Sequence, residues 1–302
     1  MTANPSPSCA KNKDSSWTGR FAPSPTGHLH LGSLLAALLS HCASKYVGGR
    51  WLLRIEDTDL PRCKPEFTES ILNALEAHGL TWDDQWQLQS HHRQMHLDAA
   101  HDLMRQNIAY YCDCSRKSLR NADIDVYPGL CRTKKLASKN AALRFQCSDV
   151  TVEFDDLIHG YNTQNVYRDV GDFPLVRRDA VVTYQLAVVV DDALSGVNLV
   201  VRGEDLLDNI PRQILLQRAL GYATPVYAHT PLILASDKQK LSKQTGARAL
   251  NNVNAIQNLA TAWGNVDPNP LSEVDQIGDR LAEIQQRFDQ QFGEKYFLHL
   301  LS

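Results

Sequence analysis

The chain has 302 residues, 43% hydrophobic and 22% charged, with a net charge of −3. This is the composition of a folded globular protein, long enough for two domains or one large α/β domain with an insertion. It excludes a global basic field, so any nucleic-acid contact must come from local patches, and no apolar run is long enough to span a membrane. Residues 1–16 are rich in Ser, Asn and Lys without an apolar core, and are expected to be a flexible tail rather than a signal peptide. Seven cysteines with no secretory signal read as reduced thiols or metal ligands of a cytoplasmic protein.

A strand is predicted at 17–22 and stops at Pro23 and Pro25, which cannot donate in a ladder. Thr26 and Gly27 turn the chain, and Leu31, Leu34, Leu35, Leu38 and Leu39 fall near helical spacing. The free N–H groups of that helix start suit a phosphate; Gly32 leaves the backbone approachable, and His28 and His30 stand beside it. A second strand at 50–55 runs into Glu56-Asp57-Thr58-Asp59, where open α/β sheets bind ligands; Asp57 or Thr58 could equally cap a helix. Phe67, Ile71, Leu72 and Leu75 mark an amphipathic helix over 66–78, stopped by Gly79. The helix predicted over 92–106 carries His92 and His96 on one face, next to His91 and His101. Without a Glu between them the pattern is read as a solvated face.

Cys112, Cys114 and Cys131 have the close spacing of a zinc site. No Cys or His lies between Cys114 and Cys131, and the next thiol, Cys147, falls in a strand-like stretch, so residue type leaves the fourth ligand open. Arg116, Lys117, Arg120, Arg132, Lys134, Lys135 and Lys139 surround this loop, as either a solvated face or a phosphate-binding patch. Residues 150–154 and 164–176 alternate apolar and polar, predicting antiparallel strands of an inserted subdomain. The valines of 184–192 favour a strand on pattern alone. A buried strand ends in Arg202, which needs either a ligand carboxylate or an internal pair with Glu204 or Asp205. A helix at 209–220 closes at Gly221, a strand covers 226–234, and helices are expected within 249–263 and 281–301.

Pro23-Ser24-Pro25-Thr26-Gly27 followed by His30-Leu31-Gly32-Ser33 resembles the first nucleotide-binding motif of class I aminoacyl-tRNA synthetases of the glutamyl subgroup, with Ser33 in place of the ideal last His. Arg54-Ile55-Glu56-Asp57-Thr58-Asp59 resembles a second stretch of that subgroup, and Lys240-Leu241-Ser242-Lys243 resembles its mobile phosphate loop. Cys112-x-Cys114…Tyr127-x-x-x-Cys131 is similar to the zinc motif of the shortened members that glutamylate queuosine. The resemblance spans about residues 17–250.

It implies an α/β fold: a Rossmann-type parallel sheet with an inserted zinc-binding subdomain and a short helical C-terminal region. The expected segments are 17–109 and 181–245 for the two catalytic halves, 110–180 for the insertion and 246–302 for the helical end. It also implies that 184–192 is helical and that Tyr127 completes a structural Zn²⁺ site with Cys112, Cys114 and Cys131. By the same resemblance His30, Lys240 and Lys243 are catalytic, and His28, His30, Gly32 and Lys243 hold ATP with its Mg²⁺. Arg20, Phe21, Ala22, Pro23, Ser24, Glu56, Tyr184 and Arg202 form an L-glutamate pocket, with Glu56 on the amino group.

The expected activity is a ligase reaction: glutamate and ATP form glutamyl-adenylate without tRNA, and glutamate passes to queuosine in the anticodon of tRNA(Asp). The large anticodon-binding region of discriminating members is expected to be absent. The alternatives are a glutamyl-tRNA(Glu) synthetase lacking that region, or a non-enzymatic zinc-containing RNA-binding paralog. A cytoplasmic monomer is expected.

Overall fold

The computed structural model describes residues 16–59, 61–233 and 248–301; the predicted tail up to residue 15 and the segment with Lys240 and Lys243 lie outside them. Strands β1 (Thr18–Phe21), β2 (Arg50–Ile55) and β3 (Gln87–Leu88) form a parallel sheet in that order. A second sheet has β9 (Leu199–Gly203), β10 (Val226–Thr230) and β6 (Val152–Asp156) parallel, with β7 (Gly160–Gln164) antiparallel at its edge. The two sheets meet where Asn198 donates from its backbone to the Thr18 carbonyl at 3.1 Å and accepts the Thr18 N–H on its side chain at 2.8 Å.

Alternation along these strands sorts their side chains between two cores. Phe21, Trp51, Leu53, Ile55, Leu199, Val201 and Ala228 face helix α1 (Leu31–Tyr46) and the C-terminal helices α8 (Ala255–Trp263) and α9 (Ile277–Phe288). Leu52, Val200 and Tyr227 face the core that holds α3 (Arg93–Arg105), α6 (Tyr184–Leu194) and α7 (Ile210–Leu220). The same period places Arg20, Arg54, Arg202 and His229 on the α6 side of the sheet. Close packing of α1 on β1 requires Gly19, because a Cβ there would lie 2.1 Å from Ser44 Oγ. Gly221, at φ +71°, ends α7 in the left-handed region.

The remaining strands, β4 (Ala109–Cys112), β5 (Ala142–Phe145) and β8 (Pro174–Val176), make a separate antiparallel sheet beside the cysteine loop. Three elements differ from the pattern-based expectation. The β6–β7 hairpin, expected within the insertion, joins the main sheet through Asp156 opposite Tyr227, and residues 166–169, expected in a strand, form the short helix α5 (Val166–Asp169) capped by Asn165. Residues 184–194 are helical despite their valines: Val188, Val189 and Val190 are all buried, so packing overrides propensity. Helix α2 (Pro65–Ala77) starts at Pro65, which presets the first helical φ.

Candidate active site and metal centre

The carboxyl ends of β1, β2 and β9 lie together. The loop after β1 is fastened to the loop after β2 by Glu56 N–H donating to the Pro23 carbonyl at 2.9 Å and Lys64 N–H to the Pro25 carbonyl at 3.1 Å. Phe21 stacks on Trp51 in the core, with centroids 6.3 Å apart, so only its backbone faces the loop; Ala22 and Pro23 are half-buried and Ser24 is exposed. His30 caps α1: Ser33 N–H donates to its ring, and His30 N–H donates to Ser33 Oγ at 2.8 Å. Ser33, in place of the family's ideal His, thus closes a reciprocal cap around the helix start where Gly32 sits. His28 is held outward, its ring 2.7 Å from Ser70 Oγ and edge-on to Phe67. Leu250 N–H donates to the Leu29 carbonyl at 3.0 Å, returning the chain that follows the Lys240–Lys243 segment to this first motif.

Arg202, 6% exposed, is held by four neutral acceptors. Its Nε donates to His229 Nε2 at 3.0 Å, Nη1 to the Tyr184 hydroxyl at 3.0 Å, and Nη2 to Gln213 Oε1 at 3.0 Å and the Leu206 carbonyl at 3.4 Å. His229 in turn donates through Nδ1 to Asp156 Oδ2 at 2.7 Å. Burial lowers the His229 pKa; the Asp156 bond opposes this and the Arg202 charge adds to it, so the ring stays neutral and accepts. Among the described residues Arg202 makes no ion pair with Glu204 or Asp205.

Beside it lies a buried charge cluster. Arg54 Nη2 is 2.8 Å from Asp192 Oδ1 and 3.4 Å from Glu56 Oε1, and its Nε is 3.8 Å from Asp191 Oδ2; Arg20 Nε is 3.4 Å from Asp192 Oδ1. Burial raises the Glu56 pKa, with Arg54 and Arg20 opposing it. Burial alone would raise Asp191 too, but the His96 bond, the Arg54 charge and the Gln89 bond outweigh it and hold its carboxyl below the ordinary range.

His96 is fully buried and donates from Nε2 to Asp191 Oδ1 at 2.8 Å, while half-buried His92 donates from Nδ1 to the same oxygen at 2.9 Å. The solvated-face reading therefore holds for exposed His91 and His101 and fails for His92 and His96, because α6 supplies a carboxylate that their spacing could not reveal. Gln89 donates to Asp191 Oδ2 at 2.7 Å and accepts from Thr58 at 3.2 Å, and Asp57 accepts from Ser90, so the loop carrying Glu56 is tied to the same hub. Arg54, Asp191, Asp192, Gln213 and His229 were not among the sequence candidates. A charged residue inside an apolar strand or helix was the available signal.

Around the cysteine loop, the sulfurs of Cys112, Cys114 and Cys131 all lie within 4.8 Å of one another. The Tyr127 hydroxyl is 3.2 Å from Cys112 Sγ and 3.6 Å from Cys114 Sγ, and Cys114 and Cys131 Sγ are 3.5 Å apart. Tetrahedral zinc with bonds of about 2.3 Å separates thiolate sulfurs by about 3.8 Å, so this set fits with movements of no more than about 1 Å. Cys147 turns elsewhere, donating to the Gly171 carbonyl at 3.3 Å. The Arg144 guanidinium covers the Tyr127 ring at 4.1 Å. Arg132 is withdrawn from the basic patch: it grips buried Asp172 through Nε at 2.8 Å and Nη2 at 2.6 Å. Lys134 lies 3.3 Å from Asp113, whereas Arg116, Lys117, Arg120, Lys135 and Lys139 are exposed.

A parallel sheet with a capped helix start, a carboxylate and a buried guanidinium at its carboxyl edge defines a Rossmann-type nucleotide-binding domain. Residues 17–266 match the family described as tRNA synthetases class I (E and Q), catalytic domain, and the chain belongs to it. The chain is similar to the Glutamyl-Q tRNA(Asp) synthetase of Pseudomonas entomophila, 47% identical over 76% of this chain and 78% of that one. To the protein of the same name from Thiobacillus denitrificans it is 48% identical over 85% of this chain and 87% of that one. Among solved structures, the glutamate-tRNA synthetase of Elizabethkingia anophelis aligns with a TM-score of 0.68 at 30% identity, covering 77% of this chain and 53% of the other. This chain thus spans about half the length of that enzyme.

Proposed function

We propose that the protein is a ligase that activates L-glutamate with ATP and transfers it to queuosine in tRNA(Asp). The observation that supports glutamate is Arg202, a buried guanidinium whose partners among the described residues are all neutral, bonded to Tyr184, which also faces the Glu56 carboxylate. A substrate bearing both carboxylate and ammonium matches those two charges. The acceptor is supported by the name shared by relatives 47–48% identical over most of both chains.

In this reading Arg202, aimed by Tyr184, Gln213 and His229, takes a glutamate carboxylate, and Glu56 takes the ammonium. Arg20, the backbone of Phe21, Ala22 and Pro23, and Ser24 close the pocket. The α-carboxylate oxygen attacks the α-phosphorus of ATP, the bond to the bridging oxygen breaks, and pyrophosphate leaves. His30, His28, Gly32 and the α1 start receive the triphosphate with its Mg²⁺, and Lys240 and Lys243 neutralise charge on the leaving pyrophosphate. A hydroxyl of queuosine then attacks the adenylate carbonyl and AMP departs.

Cys112, Cys114, Cys131 and Tyr127 would hold Zn²⁺ as a structural ion, pinning a loop with little core of its own. The exposed Arg116, Lys117, Arg120, Lys135 and Lys139 are assigned to RNA phosphates. A cytoplasmic monomer fits this reading. Exchange of labelled pyrophosphate into ATP tests the activation step. Glutamate alone should support exchange without tRNA, and glutamine poorly, because its amide brings donors to an Arg that has no acceptor. Exchange that requires tRNA, or equal exchange with glutamine, would contradict the reading.

A further inference from the structure

The buried cluster contains two cations, Arg20 and Arg54, against three carboxylates, Glu56, Asp191 and Asp192. Asp191 is saturated: His92, His96 and Gln89 donate to it, and Arg54 lies 3.8 Å away. Asp192 is different. Its Oδ1 receives Arg54 at 2.8 Å and Arg20 at 3.4 Å and no neutral donor among the described residues. Glu56 is left with the longer contact to Arg54, at 3.4 Å through the same Nη2.

We infer that Asp192 is a positioning residue that draws Arg54 away from Glu56, so that the Glu56 carboxylate stays available to the substrate ammonium. Glu56 and Arg54 sit two residues apart on one side of β2, so without a competitor the guanidinium would close on Glu56 and the ammonium would have to displace it. Asp192 prevents this by taking the nearer position on Nη2. It also anchors Arg20 and keeps that second cation at the pocket wall. The groups facing Glu56 are Arg54 on its own strand, Arg20 on β1, and Tyr184, Asp191 and Asp192 on α6; His92 and His96 reach it only through Asp191. Their signs oppose one another as sharing requires: the arginines favour ionised Glu56 and the two aspartates disfavour it.

The inference rests on the reading of Glu56 as the ammonium site, and the test separates the two. The readout is the KM for glutamate in pyrophosphate exchange from pH 5 to 8, together with kcat. Glu56→Gln should raise KM at least about tenfold and flatten its acid limb; if it does neither, the pocket reading is at fault. Asp192→Asn should raise KM about tenfold at neutral pH, change kcat less than about threefold, and move the acid limb to lower pH, because the Nη2 that Asp192 held then turns to Glu56. Arg54→Met should move the limb to higher pH. The double variant should return both limb and KM toward the unmodified protein, and Asp192→Glu should stay within about threefold of it. A packing role for Asp192 predicts neither the opposite limb shifts nor the recovery. Unchanged KM and limb in Asp192→Asn, or a double variant no better than the single one, overturns the inference. If Asp192→Asn does not fold, Arg54→Met decides: an acid limb that is unmoved or moves to lower pH overturns it.

Discussion

Arg202→Ala is the most informative single substitution in the pocket. The side chain donates to His229, Tyr184, Gln213 and the Leu206 carbonyl, and none of these is an anion. The fork is therefore already aimed, and among the described residues no carboxylate pairs with it. A charge-assisted hydrogen bond contributes roughly 1.5–3 kcal/mol, and each 1.4 kcal/mol is about tenfold. Loss of the side chain should thus lower kcat/KM for glutamate in pyrophosphate exchange by roughly tenfold to 150-fold. Tyr184→Phe removes one of the bonds that aim the guanidinium but leaves its charge in place, and should cost less, roughly two- to tenfold. Arg202→Lys should not rescue, since one ammonium cannot span the three side chains that the guanidinium reaches. Circular dichroism and thermal unfolding check that the fold survives. A change below about threefold in Arg202→Ala would refute the assignment.

Purified protein should carry one zinc per chain by metal analysis, and Cys131→Ser should release it and expose the loop to protease; metal-free protein prepared without chelator would remove the idea. Tyr127→Phe should weaken zinc retention in competition with a chromogenic chelator, and unchanged retention would pass the fourth position to water, since Cys147 points to Gly171. Asp267 accepts from Asn269, Gln291, Arg287 and Trp263. Burial alone would raise its pKa, but the Asn269 and Gln291 bonds and then Arg287 bring it down to about 2. A depressed folded-state pKa means stability that is complete above the ordinary carboxylate pKa and is lost as pH falls through about 2. Asp267→Asn should therefore lower Tm at pH 7, with the gap to the unmodified protein closing below about pH 4; a gap independent of pH would show that the charge is not involved.

The sequence carried most of the sheet. Trp51, Leu53 and Ile55 alternate with Leu52 and Arg54, and the strand they predict is the one observed at the same bounds. The candidate site was legible where a charge ends an apolar strand, as at buried Arg202, whereas Arg20 entered only through the family resemblance. It was not legible where a charge meets its partner across the fold. His96 and Asp191 are separated by 95 residues and meet only because α6 packs on α3, so helical spacing alone put His96 on a wet surface. Arg132 looked like a phosphate ligand until Asp172, 40 residues on, claimed both prongs of its fork. The β6–β7 hairpin misled for a related reason: alternation identifies a half-buried strand but not the sheet it joins, and Asp156 pairs with a strand that begins 70 residues later at Val226. The valines of α6 gave a strand pattern because a helix buried on all sides has no polar stripe to reveal its period.

Transfer of labelled glutamate to tRNA decides which nucleotide is the acceptor. The substrates are tRNA(Asp) with queuosine, tRNA(Asp) without it, and tRNA(Glu), each intact or trimmed of its 3′ adenosine. The cyclopentene diol of queuosine stands in for a ribose diol, so label should appear on queuosine-containing tRNA(Asp) alone, with or without its 3′ adenosine, and acceptance should be lost after periodate oxidation of that diol. Label on tRNA(Glu), or label on tRNA(Asp) that disappears when the 3′ adenosine is removed, would contradict it.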